Sequence, residues 1–472
     1  MPPCGIGIPT APAALGPHPG TGGDFRRGGP AAWGPLALVA TVIATAAAVP
    51  LGSQARAGAR LALLVVAAAS FAGVLAAEAR RPFLTRRAVL AGVLVTLAVA
   101  VAVPPQGSGD LWSYAAYGRI VAHYRRSPYR TVPDQVGPDP ITARVPTAWR
   151  GTPSVYGPVF VAVAATGSQV AGASPLGNRL YFQGLAAVAV LVGLALLAAG
   201  GWGPAALAFL GLNPVVAMVV VNGGHNDALV GLGVLAGVLV AVRRRPVLAG
   251  GVLGLTALVK VVAVLPVAAL VVWAWRRGHA RPWRAAVAAG ATVAIGYAVA
   301  GGRVAVAPVV AMGGALSRAS VWSLLAHLDP ALSAPVVAAL IVAVVVAALL
   351  ARASGAPLPL VGGGVLVVYL LAAPYVLPWY PAWALPVLAP GWRSRPSVLA
   401  AAASLGLAVS YVGAPRLRSA DLRLLVHPIY AWAMPLALVA GLGWLVAGAV
   451  RGPAWELEGT DGTGSAQAVG AA

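Results

Sequence analysis

The chain has 472 residues, 60% of them hydrophobic and 9% charged, with a mean hydropathy of +0.85. This composition excludes an ordinary soluble domain and predicts an integral membrane protein. The formal charge of +21 does not indicate a nucleic-acid partner, because the arginines form short clusters between apolar runs, as in proteins that keep positive loops in the cytoplasm.

The two ends of the chain differ from everything between them. Residues 1–30 are rich in proline, glycine and alanine, and residues 452–472 in glycine, alanine and polar residues. Both are predicted to be disordered cytoplasmic tails. No cleavable signal peptide is expected, because about 30 residues precede the first apolar segment and that segment is long enough to remain as an anchor. The single cysteine, Cys4, excludes an intrachain disulfide.

Repeated apolar runs fill residues 31–451. Each run of about 17–22 residues is long enough to cross a hydrocarbon core of about 30 Å as a helix. The predicted fold is therefore all-α, a polytopic membrane bundle of about 12–14 transmembrane helices. The predicted helices are 33–52, 61–77, 87–104, 180–200, 203–221, 228–242, 246–260, 261–275, 285–301, 331–351, 358–377, 380–392, 397–414 and 427–449.

Arginine clusters set the predicted orientation. With the N-terminus inside, the clusters at 80–87, 243–245 and 276–284 all fall in the cytoplasm. The apolar segment 157–174 would reverse every later helix if it spanned, so we expect it to lie in the outer interface or to dip in and out. Residues 105–179 then form a long extracytoplasmic loop with interfacial helices, and its many aromatic residues argue against disorder.

The 11 acidic residues are unevenly placed in this orientation. None lies at mid-membrane depth, which gives no support to a proton relay built on buried carboxylates. Four of those on the outer face have ordinary interpretations as solvated turn, helix-end or ion-paired residues: Asp134, Asp139, Asp329 and Asp421. Asp110 and Asp227 remain as candidates for acid–base chemistry.

Asp110 follows a membrane helix directly, in the stretch GDLWSYAAYGRI. It is interpreted either as the N-cap of a helix or as a general base at the membrane surface. His225 and Asp227 lie in NGGHNDALV, between two helices on the same outer side. Asp227 is a second possible cap, and the pair alternatively offers a proton carrier, but two residues do not make a metal site.

The only lysine, Lys260, interrupts the apolar stretch LTALVKVVAVLP. A lysine near the bilayer centre costs about 2.5–3.5 kcal/mol on insertion scales, so it needs a partner, a polar cavity or a route to the interface. Snorkelling to the interface is one interpretation. The other is a cation that faces a lipid phosphate.

With these residues placed, the chain resembles the GT-C glycosyltransferases, and most of all the actinobacterial polyprenyl-phosphomannose-dependent α-1,6-mannosyltransferases. The matching stretches are GDLWSYAAYGRIVAHYRRSPY, PSVYGPVF, LNPVVAMVVVNGGHNDAL, AGGVLGLTALVK and PWYPAWALPVL. The resemblance implies a GT-C-like transmembrane domain over residues 31–451. It also implies that a hexosyl residue, mannose, passes from a polyprenyl-phosphate donor to a lipid-anchored glycan acceptor, forming α-1,6 linkages in lipoglycan synthesis.

The resemblance further implies roles for individual residues. Asp110 takes the position of the first-loop catalytic carboxylate, and GHND matches the second-loop polar motif, so His225 and Asp227 join it as catalytic candidates. The predicted substrate-binding residues are Tyr114, Arg119, Tyr156, Asn222, Lys260, Trp379, Tyr380 and Trp383. Many relatives carry paired acidic residues in the first loop, whereas Gly109 precedes Asp110 here. This departure weakens the case for a bound metal, and no metal or cofactor is assigned.

The predicted reaction is a displacement at the anomeric carbon of a lipid-phosphate-linked sugar. Asp110 is the expected base. Lys260 is the first candidate for the cation that stabilises the leaving phosphate, and Arg119 is the second. The expected location is the bacterial plasma membrane, with the active site on its extracytoplasmic face. Two alternatives stay open: a transporter or flippase of a lipid-linked sugar, and an oligosaccharide polymerase or ligase.

Overall fold

The computed structural model describes residues 33–52, 56–328, 356–412 and 420–451. Every regular element in these ranges is a helix, which confirms the all-α prediction. The two predicted tails, the predicted helix 331–351 and Asp329 lie outside the described residues. The helices are α1 (Trp33–Ala48), α2 (Ala57–Arg80), α3 (Arg86–Ala102), α4 (Asp110–Ala122), α5 (Pro158–Ala171), α6 (Pro175–Ala199), α7 (Pro204–Gly211), α8 (Asp227–Val242), α9 (Pro246–Ala257), α10 (Val264–Arg276), α11 (Arg284–Val299), α12 (Arg303–Ala311), α13 (Val321–Leu328), α14 (Leu358–Ala372), α15 (Leu385–Leu388), α16 (Arg395–Ser410), α17 (Ala420–Pro428) and α18 (Met434–Arg451).

Several of these helices have the length and composition of membrane spans. Among the described residues, four continuous spans meet that requirement: Trp33–Leu51, Ala57–Arg80, Pro175–Ala199 and Ala420–Gly448. A fifth candidate is the pair Arg284–Val299 and Arg303–Gly314, bent by 106°. Six further apolar helices have 10–17 residues. The protein is therefore a polytopic helical membrane protein, and the figure of about 12–14 crossings stays a prediction.

Two predicted membrane helices were wrong as continuous elements. The predicted helix 203–221 ends as α7 at Gly211 and resumes as a π-helical turn over Val216–Val221. Pro214 interrupts it because proline has no N–H to donate. The predicted helix 380–392 is three short pieces, Tyr380–Trp383, Leu385–Leu388 and Ala389–Gly391, each with a proline at its start.

The long loop after α3 is folded, and two of its helices pack on each other. α4 and α5 cross where Gly118 lies against the backbone of Ala164, and a Cβ on Gly118 would clash with that carbonyl oxygen. α5 has 14 residues, about 21 Å of helix, which is shorter than a hydrocarbon core. Three 3₁₀ turns, Pro133–Gln135, Thr142–Arg144 and Thr147–Trp149, connect the two helices.

A buried ion pair ties this loop together, and it corrects the interpretation of Asp139 as a solvated turn residue. The Nε atom of Arg119 lies 2.7 Å from the Oδ2 atom of Asp139, and both side chains are buried. Burial disfavours the charge of Asp139, yet hydrogen bonds from Arg119 and from the N–H groups of Ile141 and Thr142 hold its pKa below the ordinary value. Asp134, five residues earlier, is exposed as predicted.

Candidate active site

The start of α4 brings Asp110 into contact with the GHND loop. Gly107 adopts a φ of +86°, a conformation that favours glycine, and this turns the chain from α3 towards α4. The carboxylate of Asp110 does not cap α4; it points at His225, with 3.7 Å between Oδ2 of Asp110 and Nδ1 of the ring. The hydroxyl of Tyr114, one helical turn later, lies 3.5 Å from the same nitrogen. The N-cap interpretation of Asp110 is therefore wrong.

The imidazole of His225 is fixed by stacking. Its ring lies 3.9 Å from that of Trp379, centroid to centroid, with 16° between the planes. Burial lowers the pKa of His225 well below its ordinary value, so the ring is neutral. Its Nε2 atom is buried and has no hydrogen-bond partner among the described residues. A neutral imidazole in this position has Nδ1 facing Asp110 and Tyr114, whereas Nε2 lies against the backbone at Gly223.

Asp227 and Lys260 form a second ion pair at the same site. Asp227 is fully buried, and its Oδ1 atom accepts hydrogen bonds from Nζ of Lys260, at 2.7 Å, and from the indole of Trp383. The ammonium group lies 4.3 Å from the centre of the Tyr380 ring and 5.0 Å from that of Trp383, within cation–π range. Lys260 therefore has a partner at the site and does not need to reach the interface.

Buried acceptors and donors in the GHND loop are left open. The side-chain amide of Asn226 and the Oδ2 atom of Asp227 are buried without a hydrogen-bond partner in the described part of the chain, as is Nε2 of His225. Buried polar atoms are nearly always hydrogen-bonded in folded proteins. Three adjacent residues therefore present buried polar atoms that a polar ligand or water can satisfy.

Two of the predicted substrate-binding residues are hydrogen-bonded within the protein. The amide of Asn222 donates to the carbonyl groups of Ala100, Val103 and Pro104 and accepts from the N–H of Gln106. It thus holds the end of α3 and the linker that leads to Asp110, and we assign it a positioning role. Arg119 is occupied by Asp139, as described above, so its charge does not face the site.

Aromatic side chains close the site on two sides. Tyr114 and Tyr156 meet edge to face with 4.9 Å between ring centroids, next to Phe160. On the other side Tyr380 stacks on Trp383 at 4.2 Å. Tyr114 and Trp383 are buried, whereas Tyr156 and Tyr380 are half-buried, so the latter two rings are the ones within reach of a ligand.

The carboxyl group of Asp110 has an unusual proton affinity. Burial raises its pKa to about 6, although the charge of Lys260 opposes that effect. About a quarter of the side chain, 24%, stays exposed, so a substrate can reach it. Within the described ranges, no group of three or more His, Cys, Asp or Glu side chains comes close enough to hold a metal ion.

A cavity of about 160 Å³ adjoins the site and contains a residue that the sequence did not single out. Its walls include Arg60 on α2, the linker 106–108, His225 and Trp379. Arg60 stands directly before the apolar run predicted as helix 61–77, at the end of that helix predicted to be extracytoplasmic. The sequence gave no sign that Arg60 lies beside the linker before Asp110, because the two are far apart in the chain and only the fold brings them together.

Comparison with known proteins places this site within a matched region. The sequence-family model described as "Alpha-(1->6)-mannopyranosyltransferase, N-terminal domain" matches residues 28–277, a range that contains Asp110, His225 and Lys260. No solved structure is significantly similar to the chain.

Curated relatives give the same result. The chain is 32% identical to alpha-(1->6)-mannopyranosyltransferase A of Mycobacterium tuberculosis over 236 residues, 46% of this chain and 43% of that protein. It is 32% identical to alpha-(1->6)-mannopyranosyltransferase B of Corynebacterium glutamicum over 142 residues, 26% and 22% of the two chains. The matched part is thus less than half the length of either relative. Because the family model covers more than half of the 472 residues, the chain belongs to the alpha-(1→6)-mannopyranosyltransferase family represented by that N-terminal domain.

Proposed function

We propose that this protein is a membrane mannosyltransferase. It moves a mannosyl residue from a polyprenyl-phosphate donor to a lipid-linked glycan acceptor on the extracytoplasmic face of the bacterial plasma membrane, forming an α-1,6 linkage. The names of the relatives support the sugar and the linkage. The observation that carries the proposal is the meeting of Asp110, His225 and the Asp227–Lys260 pair between two aromatic walls.

The proposed reaction is a single displacement at the anomeric carbon of the donor. Asp110 takes the proton of the acceptor hydroxyl as its oxygen forms a bond to that carbon. The bond between the carbon and the phosphate oxygen breaks, and the polyprenyl phosphate leaves as a phosphomonoester with one additional negative charge. A base with a pKa of about 6 is largely ionised at neutral pH and still strong enough to accept a proton, which is the balance that general-base catalysis requires.

The remaining site residues bind and orient the sugars in this proposal. Hydroxyl groups supply donors and acceptors for the unsatisfied atoms of Asn226 and Asp227. The half-buried rings of Tyr156 and Tyr380 offer apolar contact to a sugar, and Tyr114 packs behind Tyr156. The Asp227–Lys260 pair contributes a fixed dipole in a buried place, where an electrostatic effect on developing charge is stronger than in water.

The test compares two carboxylates of the same loop. Purified Asp110→Asn and Asp134→Asn variants are given radiolabelled polyprenyl-phosphomannose and a lipid-linked mannan acceptor, and the labelled product is analysed for its linkage. We expect Asp110→Asn to transfer sugar about 10²–10⁴-fold more slowly than the wild type. Asp134 is exposed and outside the site, so Asp134→Asn is expected to keep the wild-type rate. Undiminished transfer by the Asp110 variant would overturn the proposed base.

The wild-type protein in proteoliposomes decides between transfer and transport. Formation of a glycosidic bond supports the proposal. Movement of a lipid-linked sugar across the bilayer without bond formation would identify a flippase instead and remove the need for a base.

A further inference from the structure

The cavity beside His225 contains an arginine, Arg60, that has no ion-pair partner among the described residues. Arg60 lies in the first turns of α2, and it forms no ion pair or hydrogen bond with any of the residues that the structure describes. The guanidinium group of Arg60 lies against the linker before α4. A Cβ atom built on Gly107 would be 3.6 Å from Nη1 of Arg60. The two cations expected to face a phosphate, Lys260 and Arg119, are both paired with carboxylates. Among the described residues that line the cavity, Arg60 is thus the cation whose charge is available to a ligand.

The same cavity has a polar end and an apolar side. His225 and Trp379 form the boundary with the active site, and the unsatisfied Nε2 atom of His225 belongs to a side chain that is 1% exposed. Leu64, Met218 and Val412, which belong to one buried apolar cluster, also line the cavity. A volume of about 160 Å³ is close to that of a cavity that accepts a benzene molecule, so it has room for a phosphate group and little more. A ligand with a long chain therefore needs space beyond this volume, next to the apolar residues.

We propose that Arg60 binds the phosphate group of a long-chain lipid phosphate, whose first carbons lie along the apolar side of this cavity. Arginine presents a planar fork of N–H donors that matches two phosphate oxygens, and it stays charged in a half-buried place. This inference deepens the proposed function, on which it rests: it assigns the donor phosphate to Arg60 and leaves Lys260 to Asp227. The linker 106–108 connects the phosphate position to Asp110 over a few residues of chain.

The binding experiment uses polyprenyl monophosphate, the leaving group of the proposed reaction, as its probe. The full chain in phosphatidylcholine nanodiscs is titrated with this lipid, with polyprenol, with phosphatidic acid and with inorganic phosphate. We expect Arg60→Gln to weaken binding of polyprenyl monophosphate about tenfold or more, as for a lost charged hydrogen bond. The matched control is Arg56→Gln, an exposed arginine one turn earlier, which is expected to bind like the wild type.

The other probes distinguish the sources of phosphate. Polyprenol, which lacks the charge, is expected to bind weakly to all variants, and inorganic phosphate to compete poorly because it gains nothing from the apolar side. Equal binding by Arg60→Gln and wild type would overturn the inference. Phosphatidic acid that binds as tightly as polyprenyl monophosphate would also overturn it, in favour of a general phospholipid site. Arg60→Lys keeps the charge but lacks the planar fork of donors, so its affinity is expected to lie between those of wild type and Arg60→Gln. If Arg60→Gln does not fold, a wild-type affinity in Arg60→Lys would contradict binding of the phosphate by two guanidinium N–H groups.

Transfer measurements separate this inference from the proposed function. If Arg60→Gln binds the lipid phosphate weakly while the wild type transfers no mannose, the lipid-phosphate site stands and the mannosyltransferase proposal fails. If the wild type transfers mannose and Arg60→Gln has an unchanged KM for the donor, the function stands and Arg60 is not the phosphate ligand.

Discussion

Asp110 shows how surroundings give one carboxylate a property that its sequence context does not. Burial raises its pKa to about 6 from an ordinary 3.8, so the charged base that the proposed reaction needs is lost as the pH falls through about 6. We expect kcat/KM for the donor to be constant above pH 7 and to fall about tenfold per pH unit below about 5.5. A rate profile measured from pH 5 to 8 checks this. A flat profile over that range would contradict the role of Asp110 as base.

The ionisation of Asp110 is also expected to affect stability, in the opposite direction to activity. The charged form that the proposed reaction needs is the form that destabilises the folded protein. The carboxyl group of Asp110 ionises with a pKa of 3.8 in the unfolded chain and of about 6 in the folded chain. The free-energy cost of burying it therefore grows as the pH rises from 3.8 to about 6, and is fully present above that pH. Asp110→Asn removes this cost. We therefore expect its Tm in detergent to exceed that of the wild type at pH 7 and to equal it near pH 4. A Tm lower than wild type at pH 7 would contradict the pKa argument.

Single residues were predictable from sequence only where topology or a rare residue type singled them out. Asp110 and Asp227 remained after the other outward carboxylates had ordinary explanations, and Lys260 is the only lysine. The pairing of Arg119 with Asp139 was missed, because PDQVGPDP predicts a turn but not which side chains pack over it. Arg60 was missed because an arginine at the end of an apolar run gives no local sign of what the fold places beside it.

At the scale of elements, the loop between α3 and α5 depends on its buried ion pair. Asp139→Asn leaves Arg119 buried and without an anionic partner, and breaking such a pair typically costs about 3–5 kcal/mol. We expect a clearly lowered Tm and faster proteolysis between α4 and α5. Asp134→Asn, an exposed carboxylate in the same loop, is the matched control and is expected to change stability by less than about 0.5 kcal/mol. Equal Tm values for the two variants would show that the pair is not structural.

The packing of α8 on the turn Tyr380–Trp383 also positions the site. Gly231 lies against the backbone of Ala382, and a Cβ there would clash with its carbonyl oxygen. We expect Gly231→Ala to push the turn away from Asp227 and to reduce transfer about tenfold or more without touching a substrate. Gly251→Ala on α9, where a Cβ meets open space, is the control and is expected to leave the rate unchanged. An unaffected rate in Gly231→Ala would show that the turn tolerates displacement.

Helix existence was predictable along most of the chain, whereas helix continuity was not. Apolar runs predicted α2, α3, α6 and α8 within a few residues. The runs at 203–221 and 380–392 were each predicted as one continuous helix despite their prolines. Average hydropathy over a segment does not register a single residue that lacks an N–H. α4 was predicted only as a segment that can be helical, since its polar and aromatic residues give no apolar run.

On the scale of the whole molecule, sequence does not distinguish burial in lipid from burial in protein. α14 is apolar on every side, which predicts a membrane span, yet nearly all of its residues are buried by other helices. The same ambiguity applies to the short apolar helices of 10–17 residues. Composition thus predicted the class of protein correctly but overestimated how many runs form long continuous helices.

The orientation of the molecule is open to a direct test, because the chain has one cysteine. In a Cys4→Ser background, Asp134→Cys and Ala280→Cys place single thiols at exposed positions in two different loops. We expect a membrane-impermeant maleimide added to intact cells to label position 134 but not position 280, which is labelled only after permeabilisation. The reverse pattern would place the site on the cytoplasmic side and remove the proposed extracytoplasmic reaction.

The contact between the start of α5 and the end of α9 connects the long loop to the Asp227–Lys260 pair. The N–H groups of Gly157 and Val159 donate to the carbonyl groups of Val259 and Leu258, so the loop is bonded to the backbone immediately before Lys260. The position of the ammonium group opposite Asp227 therefore depends on where α5 is seated as well as on α9.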